Sequence, residues 1–281
     1  MPVHISNKSP PKTHLHHAHL NHAHVKHPSG RSTPTQLRMS DTTSCGVLSQ
    51  CPYLFVKQTR RGWFKELMGF ESRTEFDISS KPGGHLMYGM EQSSSIARFF
   101  LSKLHPWNMT VWHGSSSRAP SVEIATYHRP LRMPLAPLKC CCHQAVLHHD
   151  AAGKLIGETV ENFYCCVPMF DVRDGQGNIE YVISQPTCMD GNCVDCFAEG
   201  VFNLRIPFYV YEQGAQHVTG QEVARIVKVW SGLSSELCTD ADNFELNFNN
   251  VNKPVSKARL LGSLFLLNQL FFEGKSSVSC L

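Results

Sequence analysis

Leu260-Leu261-Gly262-Ser263-Leu264-Phe265-Leu266-Leu267-Asn268-Gln269-Leu270-Phe271-Phe272 is the stretch on which the reading of this chain turns. Wound as a helix, its apolar side chains leave no consistently polar face. A helix that is apolar all round has to sit inside something. A bilayer span takes about 20 apolar residues. This run is shorter, and Asn268 and Gln269 interrupt it. Burial in a protein core is therefore the first reading and membrane insertion the second. Pro254 suits a first helical turn and Ser256 can cap one, which places the helix at about 256–273.

The sequence upstream is patterned to surround such a helix. Period-two alternation recurs at 70–78, 85–90, 109–112, 122–127, 145–147, 154–160, 169–172, 181–184, 201–210, 222–229 and 244–248. Gly83-Gly84, Asp150 to Gly153, Asp174-Gly175 and Gly177-Asn178 read as hairpin turns. About a dozen short strands at this rhythm predict a sandwich or a barrel. The economical architecture is mainly β: a closed antiparallel barrel of about 12 strands around the buried C-terminal helix, which also removes sheet edges. Residues 98–104 are expected to add one helical turn.

Before this comes a tail. Residues 1–47 are rich in Pro, Ser, Thr, Lys and His and poor in large apolar side chains, so they cannot offset their ordering entropy and are expected to be disordered. The barrel domain is drawn at 48–275 and a short C-terminal tail at 276–281. His14, His16, His17, His19, His22, His24 and His27 form a low-complexity run, read as a solvated lead-in or as a metal- or pH-responsive patch. The tail is also where protein partners would attach. The first residues lack an apolar core, so no signal peptide is expected. With a net charge of +3, nucleic acid is not an expected partner. The twelve cysteines are clustered, which favours reduced thiols, metal ligation or acylation over a disulfide framework. No nucleophile elbow, phosphate-binding glycine loop or His-Glu zinc helix is present, so an enzyme is not expected.

Several short pieces, taken in order, resemble the phospholipid scramblase family. They are Gly69-Phe-Glu-Ser-Arg-Thr-Glu-Phe-Asp-Ile78, Arg129-Pro-Leu-Arg132, Cys140-Cys-Cys142, Leu155-Ile-Gly157, Trp230-Ser-Gly-Leu233, Thr239-Asp-Ala-Asp-Asn-Phe244, Leu261-Gly262 and Phe271-Phe-Glu273. Singly each is weak; in this order and spacing they are specific. The resemblance implies a Tubby-like fold, a twelve-stranded barrel around a buried C-terminal helix. It also implies calcium-stimulated, ATP-independent movement of phospholipids between leaflets and palmitoylation-dependent attachment to the cytoplasmic face of the plasma membrane. A palmitoylated lipid-binding adaptor of the same fold is the alternative. Nuclear roles are attributed to some members, but the segment matching the family's import signal, 224–233, offers only Arg225 and Lys228 as basic residues.

Four groups of residues could carry chemistry. Asp240, Asp242, Asn243, Glu245 and Asn247 resemble the family's calcium segment and supply the hard oxygens calcium prefers. This is no EF-hand, since Glu245 stands at the sixth position and Val251 at the twelfth. As a strand, the segment turns Phe244, Leu246 and Phe248 inward and Glu245 and Asn247 outward, with Asp240 and Asp242 at its entrance. Cys140, Cys141 and Cys142 suit thioester acylation, and the resemblance makes them the palmitate sites. Cys188, Cys193 and Cys196, with Cys165 or Cys166 as a fourth thiol, have spacings compatible with zinc or with redox sensitivity. Lys57, Arg60, Arg61 and Lys65 form a basic run beside Phe55, Trp63 and Phe64, fit either to face anionic lipid or to be a solvated strand entry.

Overall fold

The computed structural model describes residues 44–60, 74–80, 84–101, 104–114, 122–133, 142–164, 167–185, 205–216, 220–229 and 242–272. The strands among them, in chain order, are β1 (Tyr53–Arg60), β2 (Thr74–Ser79), β3 (Met87–Gln92), β4 (Trp107–His113), β5 (Glu123–Arg129), β6 (Ala145–Asp150), β7 (Leu155–Glu161), β8 (Met169–Asp174), β9 (Ile179–Ser184), β10 (Arg205–Glu212), β11 (Ala224–Val229) and β12 (Asn243–Asn247). Each pairs antiparallel with its sequence neighbour, and β12 returns to pair with β1. The result is the closed meander barrel that the alternating pattern predicts. A short 3-10 turn (Ser44–Gln50) precedes it, α1 (Ser95–Leu101) lies between β3 and β4, and α2 (Pro254–Leu267) follows β12.

The alternation explains the wall. Leu54 and Val56 of β1, Phe76 and Ile78 of β2, Met109 and Val111 of β4, and Phe244 and Leu246 of β12 are buried against the centre. Period-two packing puts the intervening side chains on the outer surface. Two hairpins use one turn chemistry. Asp150 Oδ1 accepts from the Ala152 and Lys154 amides, and Gly153 follows at φ 78°. Asp174 Oδ1 accepts from the Gln176 and Asn178 amides, and Gly177 follows at φ 89°. The aspartate closes the turn and glycine takes the left-handed backbone that other residues resist.

β1 has no place among the strands expected from pattern. Its inward series is Leu54, Val56 and Gln58, and Lys57 and Arg60 make the segment read as part of a basic run. The structure makes it the closing strand between β12 and β2.

α2 fills the lumen, and every residue from Ser256 to Leu267 is buried. It begins at Pro254 with Lys253 as N-cap, and no side chain caps it. Ser256 lies inside the helix and donates to Glu180 Oε1 at 2.9 Å instead of capping. Asn268–Phe272 continue as a π-helical turn. Along its length Phe265 packs on Phe76 and Tyr127, with ring centroids 4.9 and 5.4 Å apart. Phe271 and Phe272 pack on Phe170, Phe208 and Phe244.

The helix also carries polar side chains, which hydrogen-bond to the barrel wall or to the segment that precedes β1. Lys257 Nζ donates to the carbonyls of Leu48, Ser49 and Cys51 at 3.1, 3.3 and 2.7 Å. Those carbonyls lie at and just past the end of the 3-10 turn, where helical backbone runs out of intrahelical donors, and the Leu48 carbonyl also accepts from the Cys51 amide at 3.2 Å. Cys45 and Leu48 of that turn are buried, so Ser44–Gln50 straddles the boundary drawn from composition at 47. Arg259 donates to the Ile156 carbonyl at 2.8 Å and to Glu180. Tyr127 donates to the Ala258 carbonyl at 2.9 Å. Ser263 and Thr159 hydroxyls meet at 2.7 Å.

Candidate functional site: one mouth of the barrel

A meander barrel sorts its connections. Every odd-to-even connection leaves from one mouth, and the C-terminal end of the central helix reaches that same mouth. The helix occupies the lumen, so the chemistry available to a partner lies at the rims and on the outer wall.

Inside this mouth a buried polar network holds the end of the helix. Gln269 Oε1 accepts from the Trp107 indole and from the Arg129 guanidinium, and Gln269 Nε2 stands 3.1 Å from His105 Nδ1. Arg129, fully buried, also donates to Gln144 Oε1 at 2.6 Å. His105 Nε2 lies 3.2 Å from Glu91 Oε1, which accepts from Arg98 at 3.0 Å and from Ser93 at 2.7 Å. Burial pushes the Glu91 carboxyl up, but the hydrogen bonds and charges of His105, Arg98 and Ser93 outweigh it and hold the pKa at about 2. Reading Asn268-Gln269 only as an interruption missed this hub. The signal for it was present: a buried amide in an apolar helix requires partners.

The calcium candidates divide between two faces. Asp242 turns in at the rim, where its carboxylate pairs with Lys228 Nζ at 3.0 Å. The same ammonium lies 4.8 Å from the centroid of Phe272, closing the mouth over the helix end. Asn243, Glu245 and Asn247 face outward, as the strand reading expects, and Glu245 pairs with Arg205 Nη2 at 2.6 Å. Asn247 Oδ1 accepts from the Asn249 amide at 3.1 Å. Side chains two apart on a strand are about 7 Å apart. One calcium ion, with ligands at about 2.4 Å, can draw on a subset of these groups but not on all of them. Among the described residues no three His, Cys, Asp or Glu side chains come together as metal ligands.

Cys142 is exposed at the start of the strand approach to β6 and holds φ at 57°. Lys57 is exposed on the outer wall of β1, and Arg60 ends that strand. Asp240, Cys140, Cys141, Cys165, Cys166, Cys188, Cys193, Cys196, Arg61 and Lys65 lie outside the described residues, as does the side chain of Arg60. The segment matched to an import signal is largely β11, paired on both sides. Its Arg225 lies over the Tyr209 ring at 4.7 Å.

A closed antiparallel β-barrel threaded by its own C-terminal helix, which a buried polar network holds at one mouth, defines the class of fold. The scramblase family model matches residues 31–274, and the chain belongs to the scramblase family. It is 27% identical over 207 residues to phospholipid scramblase 2 of Bos taurus, covering 74% of this chain and 64% of that protein. It is 26% identical over 211 residues to human phospholipid scramblase 1, covering 75% and 60%. It is 26% identical over 208 residues to human phospholipid scramblase family member 5, covering 74% and 69%. The chain thus matches less than two thirds of the length of the first two relatives. No solved structure matches it.

Proposed function

We propose that this chain moves phospholipids between leaflets without ATP, stimulated by calcium, while attached by palmitate to the cytoplasmic face of the plasma membrane. The family match over 31–274 carries this reading. Exposure of Cys142 supports acylation at the Cys140-Cys141-Cys142 triplet, because a thiol must be reachable to be acylated. Two acyl chains make attachment stable. The calcium ligands in this reading are drawn from Asp240, Asp242, Asn243, Glu245 and Asn247.

No covalent catalysis is involved. The physical task is to lower the cost of carrying a charged headgroup through hydrocarbon. The lumen offers no path, since α2 fills it and no described helix is long and apolar enough to cross a membrane. Releasing α2 would break its contacts to Thr159, Glu180 and Arg129 and expose the apolar lining. Lipid therefore moves along the protein's outer surface, with the barrel intact.

The same observation favours a second reading, an acylated lipid-binding adaptor that moves no lipid. Reconstitution into vesicles with fluorescent lipid analogues separates the two. Loss of the inner-leaflet analogues' protection from an external quencher at millimolar calcium supports scrambling. Vesicle binding with no lipid movement, at any calcium level, overturns it in favour of the adaptor.

A further inference from the structure

Among the described residues, five large apolar side chains are exposed at the mouth that holds the helix C-terminus. Ile96 and Phe100 are 70% and 76% exposed, Phe163 58%, Leu131 49% and Met133 46%. The large apolar residues exposed at the opposite mouth among the described residues, Tyr53, Val122 and Leu155, reach only 36%, 40% and 42%. The five come from the β3–β4, β5–β6 and β7–β8 connections, which are consecutive around the barrel. They form one arc of one rim.

Each tip is held by a polar staple behind it. In α1, Arg98 Nη2 binds Glu91 at 3.0 Å and its Nε binds Ser93 Oγ at 2.5 Å, which ties one face of the turn to the barrel. Ile96 and Phe100, four residues apart, then share an exposed face. Arg132 Nη1 donates to the His143 carbonyl at 3.0 Å, and Gln144 Nε2 donates to the Arg132 carbonyl at 2.8 Å. This ladder clamps the two arms of the β5–β6 connection and leaves Leu131 and Met133 on either side of the clamped residue. Asn162 Nδ2 donates to Asp171 at 2.5 Å, fixing the residue beside Phe163. The residues beside these tips are thus already held in the free protein, which lowers the ordering cost of docking.

We infer that this arc (Ile96, Phe100, Leu131, Met133 and Phe163) is a preformed lipid-docking rim that inserts its side chains into the headgroup–acyl boundary of a bilayer. Three features select a bilayer over a protein. The barrel is closed, so no strand edge is available for a peptide to extend. The tips stand at strand ends on separate connections instead of lining a groove. Cys142 lies on the same β5–β6 connection as Leu131 and Met133, so an acyl chain attached there enters the same plane. This last feature rests on the acylation in the function proposed above; the arc itself does not. The barrel then meets the membrane end-on, with the Asp242–Lys228 pair on the rim that faces lipid.

The test uses the full chain from a bacterial host, which adds no palmitate, with vesicles of phosphatidylcholine and phosphatidylserine in co-sedimentation. The wild-type chain is expected to bind. Phe100→Glu combined with Phe163→Glu lowers the partition coefficient by at least about tenfold, while Val122→Glu combined with Leu155→Glu changes it by less than about twofold. Thermal unfolding confirms that all variants fold. In separate variants, Phe100→Trp and Phe163→Trp fluorescence is quenched by brominated lipid. Absence of binding by the wild-type chain, equal losses for both variant pairs, or no quenching overturns the inference. So does a lipid-free dimer abolished by Phe100→Glu, which would assign the arc to a second copy. A chain that docks through the rim yet moves no lipid defeats the scrambling function alone. A chain that moves lipid although the rim variants bind normally defeats the rim alone.

Discussion

Tyr127 lies against Gly262 so closely that no side chain fits between them. A Cβ on Gly262 would stand 2.5 Å from Tyr127 Cδ1 and 2.9 Å from His148 Cε1. Glycine here lets α2 approach the β5–β6 wall and brings the Tyr127 hydroxyl to the Ala258 carbonyl. Gly157 does the same on β7, where a Cβ would stand 2.2 Å from the Arg173 carbonyl oxygen and 2.5 Å from Arg259 Cδ. Gly262→Ala is expected to lose about 1–3 kcal/mol by overpacking. Urea unfolding reads this as a lower midpoint at unchanged slope. Combined with Tyr127→Leu, the loss should be less than additive, because the clash partner is gone.

Gln269→Leu keeps the volume and removes the polar hub. The buried Trp107 indole loses its acceptor, and Arg129 retains Gln144 but loses Gln269. Hydrogen bonds to a buried charge are worth about 1.5–3 kcal/mol, and a stranded donor adds more, so a loss of about 3 kcal/mol is expected. Leu270→Ala, at a half-buried position without these contacts, should cost less. Denaturant melts compare the two, and a change in Trp107 emission should accompany only the first. An unchanged midpoint for Gln269→Leu would show that the network adds nothing to stability.

His148 sets the pH dependence. Burial first, then the charges of Arg259 and His149, lower its pKa from 6.5 to about 3. Its Nε2 lies 3.2 Å from Thr159 Oγ1. The unfolded chain takes up this proton below about pH 6.5 and the folded one does not until about pH 3. Stability is therefore full above pH 6.5 and falls as pH drops toward 3, by up to about 1.4 kcal/mol per pH unit. Glu91 acts lower: its stabilisation is present above its ordinary value of 4.5 and is lost as pH falls through about 2. Urea midpoints at pH 7.5, 6, 5 and 4 should decline from below about 6.5 in the wild type. The decline should be shallower in His148→Gln, with a remnant from His149, whose pKa burial also lowers. Parallel slopes for both proteins would refute the assignment.

The barrel and its helix were legible because both rest on period. Alternation at 244–248 and 181–184 reads as strand, and the run from Leu260 to Phe272 reads first as interior, with membrane insertion second. β1 escaped because Gln58 occupies an inward position, where it pairs by backbone with Asp242 and Phe76 while its side chain breaks the apolar series. The buried hub escaped for the opposite reason. Glu91, His105, Arg129 and Gln269 come from β3, the segment before β4, β5 and the end of the helix, and only the closed fold brings them together. The rim arc was equally invisible, since Phe100, Leu131 and Phe163 are ordinary loop-side residues until topology sets their connections side by side.

Asp242 is the point at which the calcium reading can be pressed hardest. Its carboxylate is held by Lys228 at 3.0 Å, and the lysine also covers Phe272. A calcium ion using Asp242 has to displace that ammonium, so Lys228 competes with the metal for one carboxylate. Lys228→Ala is therefore expected to raise calcium affinity several-fold, while Asp242→Asn and Asp240→Ala lower it. Lys228→Ala should also lose about 1 kcal/mol of stability from its contact with the ring. Calorimetric titration with calcium, paired with thermal melts, measures both effects on the same samples. If Lys228→Ala melts lower but titrates like the wild type, the lysine is a structural clasp and Asp242 is not a ligand. If Asp240→Ala also leaves the heats unchanged, the segment does not bind calcium at all.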